Sequence, residues 1–367
     1  MKFRTVLTNK EQLSAIELSK SVFKENMAEQ FTLLFDETNW NHMFIAIDES
    51  EIVSLVNYYP SFVRIGECLI KIASIGSVCT KPDFRGQKLA TRLLKLAEQQ
   101  MLKEDIDLVV ISGSGGLYTD FGASLAGNVY EYCIENAQLL DSEDIKIVLY
   151  DKSKLDDLVL IQNQEDIRYL RSRSEFDVLL TAQTYPDTFA SYPIYLVEKE
   201  NQSVAYIVGF LPIEGQEFGI KEFAGDRNSI VKAFKLLTKI HHRDKIHFAA
   251  DGHDSINDLI NHQNRKLIHQ YASFRIMDFV DFMNKLKPYF DLVYPNNEVA
   301  FQYINQKPTF SLKNEKFILD SSNLFSQLIL GYNQPLDINI DNYPNIKRFF
   351  EKVFPIPFVW TNNLNYQ

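Results

Sequence analysis

Apolar residues fall at roughly helical spacing through residues 10–37, where Leu13, Ile16, Phe23, Met27, Phe31 and Leu34 share a stripe, so a helix is predicted there. The period then changes. In HMFIAIDESEIVSLVNYYP, apolar runs at 43–47 and 52–59 flank the polar Asp48-Glu49-Ser50, which reads as a hairpin. LIKIASIGSVCT predicts a further strand ending at Thr80, and PDFRGQKLATRLL (82–94) is a proline-led loop running into a helix. Leu89, Leu93, Leu96, Ala97 and Met101 make the apolar stripe of that helix. DLVVISG is almost wholly apolar, the pattern of a strand covered on both faces, and GSGGLY makes a glycine-rich turn after it. Helix-like and strand-like stretches continue to about residue 150.

From 151 to 288 the same order returns. PIYLVEKENQSVAYIVGFL reads as a hairpin turning at Glu200-Asn201-Gln202, FGIKEFAG as a strand, 227–240 as a helix, KIHFAADG as a strand and 254–264 as a helix. Hairpin, strand, helix, strand, helix thus occurs twice, which suggests a duplication carried by element order rather than by sequence identity. From about 289 the character changes again. The runs VAFQYI, TFSLKN and KFILD alternate as strands, a short helix starts at Asp320/Ser321 and stops at Gly331, and another begins at Pro344. The closing VFPIPFVWTNNLNYQ is apolar and aromatic, as expected of a docked tail.

The chain's 367 residues exceed what one core usually holds, so two or three domains are expected. Its net charge of −10 argues against nucleic acid or an anionic membrane as partner, and suits a cationic substrate such as an amine. Cys68, Cys79 and Cys133 have no paired spacing and apolar neighbours, so buried free thiols in a reducing cytoplasm are expected. The N-terminus lacks the apolar core of a secretory signal, and no stretch reaches the ~20 apolar residues of a membrane span.

The loop at 82–94 carries the first candidate chemistry. A strand-to-helix loop offers free backbone N–H groups at the positive end of the helix dipole, a natural anion site. Arg85 supplies a forked donor for phosphate oxygens, Gly86 allows close approach, and Gln87 and Lys88 keep the donors and add charge. The plain alternative is a solvated helix start with a basic face.

This segment resembles the Gcn5-related N-acetyltransferases, whose loop reads Gln/Arg-x-x-Gly-x-Gly/Ala. Here it is Arg85-Gly86-Gln87-Lys88-Leu89-Ala90, preceded by Val78-Cys79-Thr80 and Pro82, with Lys88 in place of the central glycine. The resemblance implies that this loop holds the pyrophosphate of acetyl-CoA and that backbone N–H groups at the end of the Val78–Thr80 strand hold the thioester carbonyl or the pantetheine; a lysine at 88 is compatible with it if φ there is negative, with the side chain outward. GSGGLYTDFGA (113–123) is similar to the family's Leu-Tyr-x-x-x-Gly-Phe segment, with Ala123 in place of the aromatic. That likeness implies Ser114 beside the cofactor and Tyr118 as the general acid for the departing thiolate. A tyrosine packed under the loop is the structural alternative.

The whole order resembles the Eis (enhanced intracellular survival) group. It implies a catalytic domain over 1–150, a degenerate second copy over 151–288 and a small sterol-carrier-protein-like domain over 289–367. The fold class is therefore two mixed α/β acetyltransferase folds with a small α+β C-terminal domain. In that group the C-terminal carboxylate acts as general base; here it would belong to Gln367. Trimers or hexamers are also implied. The expected function is acetyl transfer from acetyl-CoA to an amine of a small molecule or peptide, by direct attack, in the cytoplasm and without a metal. A non-catalytic protein that binds acyl-CoA or a hydrophobic ligand is the alternative.

Other signals are set aside. Cys79 has no base nearby in sequence and reads as sheet packing. His241, His242, His247, Asp251 and His253 match no strong metal-ligand spacing. Asp36-Glu37 beside Trp40 reads as a solvated helix end. In the second copy, FAGDRNSIV puts Asp226 where a pyrophosphate would lie.

Overall fold

The computed structural model describes residues 1–182, 189–305, 307–319 and 322–366. In chain order the first elements are β1 (Lys2–Thr5), α1 (Asn9–Val22), α2 (Met27–Gln30), α3 (Thr32–Phe35), β2 (Met43–Asp48), β3 (Glu51–Ile65) and β4 (Cys68–Thr80). They are followed by α4 (Leu89–Lys103), β5 (Leu108–Ile111), α5 (Gly116–Asp120) and β6 (Ser124–Leu125). Next come β7 (Asn128–Glu135), β8 (Lys146–Leu149), α6 (Leu155–Asn163), β9 (Ile167–Leu170), α7 (Arg173–Ala182) and β10 (Phe189–Ser191). The second half adds β11 (Ile194–Lys199), β12 (Gln202–Pro212), β13 (Glu217–Gly225), α8 (Arg227–His241), β14 (Lys245–Asp251), β15 (Arg265–His269) and β16 (Ser273–Ile276). The chain closes with α9 (Phe279–Lys285), α10 (Lys287–Val293), β17 (Ala300–Ile304), β18 (Lys307–Leu312), β19 (Glu315–Ile318), α11 (Ser322–Leu330) and α12 (Pro344–Val353).

The chain forms two compact units. Unit 1 holds Met1–Gly127, His269–Ile356 and Tyr366; unit 2 holds Asn128–Ile268 and Pro357–Asn365. Unit 1's main sheet runs β1-β2-β3-β4-β5-β16-β6, and unit 2's runs β15-β7-β14-β13-β12-β11-β8. Read from β8 backwards, the second sheet repeats the order of the first, with β7 in the place of β16. The repeated element order expected from the sequence is therefore visible as a repeated strand order. One feature lay beyond the sequence pattern: β7 and β8 (128–149) belong to the second sheet, and β16 (273–276) to the first. These strands are exchanged relative to consecutive segments at 1–150 and 151–288.

In unit 1, α4 covers one sheet face by packing Leu89, Leu93, Leu94, Ala97 and Met101 onto Val53, Val56, Tyr58, Ala73 and Ile75. On the other face, Ala15, Leu18, Met27 and Leu34 meet Ile45, Ile52, Leu55 and Cys79. All four residues of β5 are buried, as the apolar run predicted. α1 begins at Thr8, whose side chain caps the Glu11 N–H at 3.3 Å.

The single helix expected over 10–37 is three helices. Lys24-Glu25-Asn26 interrupts the apolar stripe, and Phe31 leaves the helical region at φ −116, ψ 50. β3 also outlasts its predicted end at Tyr59. Pro60 lies opposite Ala73, past the last β2 pair of Met43 with Asn57, so no β2 carbonyl loses a donor through its missing N–H.

In unit 2, Ile230, Ala233, Phe234 and Leu237 of α8 pack with Ala205, Ile207, Phe218, Ile246 and Phe248. The helix expected over 254–264 is two short 3₁₀ turns, Ser255–Asp258 and His262–Asn264. Asp and Asn side chains there accept from backbone N–H groups and compete with helical bonding: Asp254 caps Ile256 and Asn261 caps Gln263.

The third sheet, β17-β18-β19, lies in unit 1 with α9–α12. Its core is aromatic, with Phe279, Phe290, Phe301, Phe310, Phe349 and Phe350 in edge-to-face contacts. Glu315 binds the start of α12 by accepting from the Asn345 and Ile346 N–H groups at 3.0 Å. The helix start expected at Asp320/Ser321 lies outside the described residues.

Cys68 and Cys79 are buried, but Cys133 is exposed, contrary to expectation. Tyr132 and Ile134 beside it are buried, and strand alternation turns Cys133 to the opposite face.

Candidate functional site

β4 and β5 run parallel but pair only from Ile72–Ile75 to Leu108–Ile111. β5 ends there while β4 continues to Thr80, so the strands part after Ile75. The opening edge of β4 is not regular. Leu55 faces Cys79 and Asn57 faces Gly76, leaving Ser77 and Val78 opposite Val56 in a β-bulge. Ser77 has a positive φ of 52° and shares a 2.7 Å hydrogen bond with Ser19 of α1. Ser54 fixes the strand's end by donating to the Cys79 carbonyl at 3.0 Å, and its hydroxyl lies 2.8 Å from that of Thr80. The result is a rigid strand edge beside a gap, with backbone groups that β5 no longer uses.

The loop then leads into α4. Arg85 is exposed and its Nε–H donates to the Thr80 carbonyl at 3.3 Å, folding the loop onto the strand end. Gly86 takes a φ of 78°, which only glycine adopts freely. Lys88 departs from expectation: its φ is +58° and its ψ 28°, left-handed rather than negative. A left-handed residue turns the chain sharply into the helix, the task a central glycine would do without strain. Its side chain is exposed and makes no capping bond, so the first N–H groups of α4, those of Leu89 and Ala90, have no side-chain cap among the described residues at the positive helix end. Leu89 itself is buried and pins the helix start to the core.

Tyr118 lies on α5, beyond the end of β5. Its ring is partly buried against the apolar cluster under α4, the same cluster that holds Leu89 and against which Val78, Phe84 and Leu117 also pack. Burial raises the Tyr118 pKa above the ordinary phenol value, so it is protonated at neutral pH. Gly113 makes room for the ring, since a Cβ there would stand 2.9 Å from Tyr118 Cε2. Ser273 of β16 holds the same turn by donating to the Gly113 carbonyl at 2.7 Å. Ser114 is exposed on this turn. Burial pushes the Cys79 thiol up to about 12, which leaves it a poor nucleophile and agrees with a packing role.

Gln367 lies outside the described residues. Sequence reasoning missed Ser77, Ser54 and Asn57. Asn57 is fully buried opposite Gly76, and among the described residues neither of its amide atoms has a hydrogen-bond partner. Its signal was available as the one amide inside the apolar run SLVNYYP.

The second copy is built differently at the matching place. β13 and β14 also pair in parallel over only three residues before parting, and β13 carries a bulge at Lys221. Here, however, Asp226 caps α8 by accepting from the Ser229 N–H at 2.8 Å, closing the helix N-terminus to phosphate. Arg227 is locked between Glu165 and Asp254. A cavity of about 1300 Å³ lies beside these residues, lined among others by Lys221, Glu222, Arg227 and the tail residues Phe358 and Trp360. His241 meets the Tyr195 hydroxyl, His247 meets Glu131, and His253 folds onto Asp251.

Such a parted parallel pair beside an uncapped helix start defines a class of folds. Along nearly its full length the chain has the fold of a GCN5-related N-acetyltransferase from Anabaena variabilis, with a TM-score of 0.68 at 12% identity, covering 98% of this chain and 100% of that one. A conserved protein from Enterococcus faecalis, described as a probable N-acyltransferase, superimposes at TM-score 0.65 and 15% identity over 91% of this chain and 90% of its own. Eis1 from Mycobacterium abscessus does so at 0.65 and 12%, with the same coverage. More particularly, residues 4–126 match the acetyltransferase (GNAT) domain family, the stretch that contains the parted strands, the loop and Tyr118. None of the curated proteins matches the sequence. The similarity is thus to an acetyltransferase (GNAT) domain within residues 4–126 and to the fold of these proteins over most of the chain, and no helix among the described residues is long and apolar enough to cross a membrane.

Proposed function

We propose that the protein transfers an acetyl group from acetyl-CoA to an amine of a small molecule or peptide. The observation that carries this reading is the uncapped N-terminus of α4 standing beside the gap between β4 and β5, with Tyr118 in the same cluster. The pyrophosphate would lie on the N–H groups at Lys88–Ala90, with Arg85 as a further donor and Gly86 and Gln87 framing the loop. The pantetheine would extend along Val78, Cys79 and Thr80, adding to the sheet where β5 stops, with Ser114 across the gap.

In the proposed step the amine attacks the thioester carbonyl, the C–S bond breaks, and the sulfur takes a proton from the Tyr118 hydroxyl. A phenol is a weaker acid than a thiol, so its contribution is a hydrogen bond that strengthens as charge builds on sulfur. The base would be the carboxylate of Gln367. Support for that assignment is the Tyr366 ring, whose centroid is 6.4 Å from that of Phe31 in unit 1, on the helical layer over the sheet. The β17–β19 region would correspond to the sterol-carrier-like domain of the Eis group, and the assembly to a cytoplasmic trimer or hexamer.

The role assignments are tested by thiol release from acetyl-CoA with a saturating amine, comparing wild type, Tyr118→Phe and a chain lacking Gln367. A loss of about 100-fold in kcat for each, with acetyl-CoA affinity unchanged, is expected. A rate untouched by both changes removes these roles and leaves acyl transfer standing.

A further inference from the structure

The cavity of about 1300 Å³ is lined wholly by residues of unit 2, from α6, β12, β13, β14 and the tail segment around Trp360. The bulge in β13 decides what it contains. Phe218, Ile220 and Phe223 all join the core under α8. A spacing of two and then three along one strand means that the extra residue leaves Lys221 and Glu222 both on the opposite face. Glu222 is fully engaged there. Arg171 Nη1–H and Nη2–H donate to its two oxygens at 2.6 and 2.8 Å, and the Tyr206 hydroxyl donates to it at 2.8 Å.

The other cations of the lining also have partners. Arg227 lies between Glu165 and Asp254, Lys154 pairs with Asp157, Arg168 donates to the Glu165 carbonyl, and His253 folds onto Asp251. Among the described residues of the lining, Lys221 is the one cation with no hydrogen bond or ion pair. Burial, more than its charged neighbours Glu222 and Arg171, lowers its pKa to about 8. An ammonium drawn out of water without a counter-ion is unfavourable, and an anion brought to it relieves that cost. The rest of the surface is apolar where water would be expected. Leu160 and Leu259, on separate elements, line the same cavity yet are 63% and 40% exposed, and Phe223 and Trp360 add aromatic area.

We propose that this cavity binds an amphipathic monocarboxylate, with the carboxylate paired to Lys221 Nζ and the apolar body running toward Leu160 and Leu259. A single cation suits a singly charged head. A phosphate head is disfavoured because Asp226, also in the lining, takes the Ser229 N–H at the start of α8. This site is separate from the proposed acyl transfer and does not depend on it.

The test is calorimetry on the full chain with octanoate as the probe, beside octanol and octyl phosphate, comparing wild type, Lys221→Met and Lys221→Arg. Octanoate should bind wild type more tightly than either analogue. Lys221→Met should weaken it at least about tenfold, the worth of one hydrogen bond between charged groups, while octanol binds both chains alike. Lys221→Arg should recover most of the loss. Tyr169 and Tyr206 of the lining stay protonated because burial raises both phenols. Burial would raise Glu222 too, but Arg171 holds it below the usual carboxylate range. Lys221 is then the group that titrates, so wild-type affinity for octanoate should fall by up to about tenfold per unit as pH rises above 8, and Lys221→Arg should hold level. The proposal is overturned if octanoate gives no binding, if octanol or octyl phosphate binds wild type as tightly, or if Lys221→Met leaves octanoate affinity unchanged. Should Lys221→Met not fold, the pH profiles of wild type and Lys221→Arg decide: parallel profiles overturn the pairing.

Discussion

Lys88→Gly is the sharpest perturbation of the proposed cradle, because it separates strain from charge at one residue. Lys88 sits at φ +58° and ψ 28°, where an L-residue is about 1 kcal/mol or more above its right-handed conformation. Its cation stands at the positive end of α4, an unfavourable placement of ~0.3–1 kcal/mol. Glycine removes both terms but returns about 0.5–1 kcal/mol through the entropy of the unfolded chain. The Arg92 N–H to Lys88 carbonyl bond, 3.1 Å, survives the change. The free protein should therefore gain about 1 kcal/mol, a rise of about 2 °C in Tm for a chain of this size. Lys88→Ala keeps the strain and loses only the charge, so it should gain less than Lys88→Gly. Binding moves the other way. Loss of one exposed cation beside a phosphate should raise the KM for acetyl-CoA about two- to fivefold in both variants, and added salt should erase the difference. Thermal melts and acetyl-CoA saturation curves at two ionic strengths give all four numbers. A destabilised Lys88→Gly, or an Ala variant equal to it in stability, would refute the account of the loop.

Gly113→Ala places a Cβ 2.9 Å from Tyr118 Cε2 and should displace the ring, lowering kcat at least tenfold while acetyl-CoA binding by calorimetry persists. Asn57→Leu removes a buried amide without partners among the described residues, and chemical denaturation should show a gain of about 1–2 kcal/mol. Burial lowers the Lys221 pKa to about 8, so between there and the ordinary lysine value the folded chain binds fewer protons than the unfolded one. Stability should accordingly rise as pH increases from about 8 to 10, by on the order of 2 kcal/mol, and Lys221→Met should abolish that rise in pH-dependent denaturation. Gly219→Ala puts a Cβ into the Phe210 ring directly across the ladder, and should lower Tm sharply.

Much of this fold can be read from period alone. The DLVVI run, the α4 stripe and both hairpins appear as the apolar pattern predicts, because each buries a continuous face. Polar competition within a segment defeats the same reasoning. Lys24-Glu25-Asn26 ends α1 early, and Asp254 and Asn261 within 254–264 cap short turns in place of a helix. The exchange of β7 and β16 between sheets leaves no local trace, since a strand's pattern reports burial and not which sheet it joins. At the site, the loop and Tyr118 are visible as motifs. The bulge at Ser77 and Val78 is not, because it follows from pairing register between distant segments. The backbone conformation of Lys88 also escapes: the residue type argued for negative φ, and the sharp entry to α4 overrides it.

The most direct test of the central claim is amine-dependent release of CoA thiol from acetyl-CoA by the wild-type chain, with mass spectrometry of the amine in the same reaction. One acetyl group, a gain of 42 Da on an amine, should appear for each thiol released, with saturation in both substrates. Acetyl-CoA that binds tightly but is never turned over, across small amines and lysine peptides alike, would contradict the account and make the protein an acyl-CoA binder.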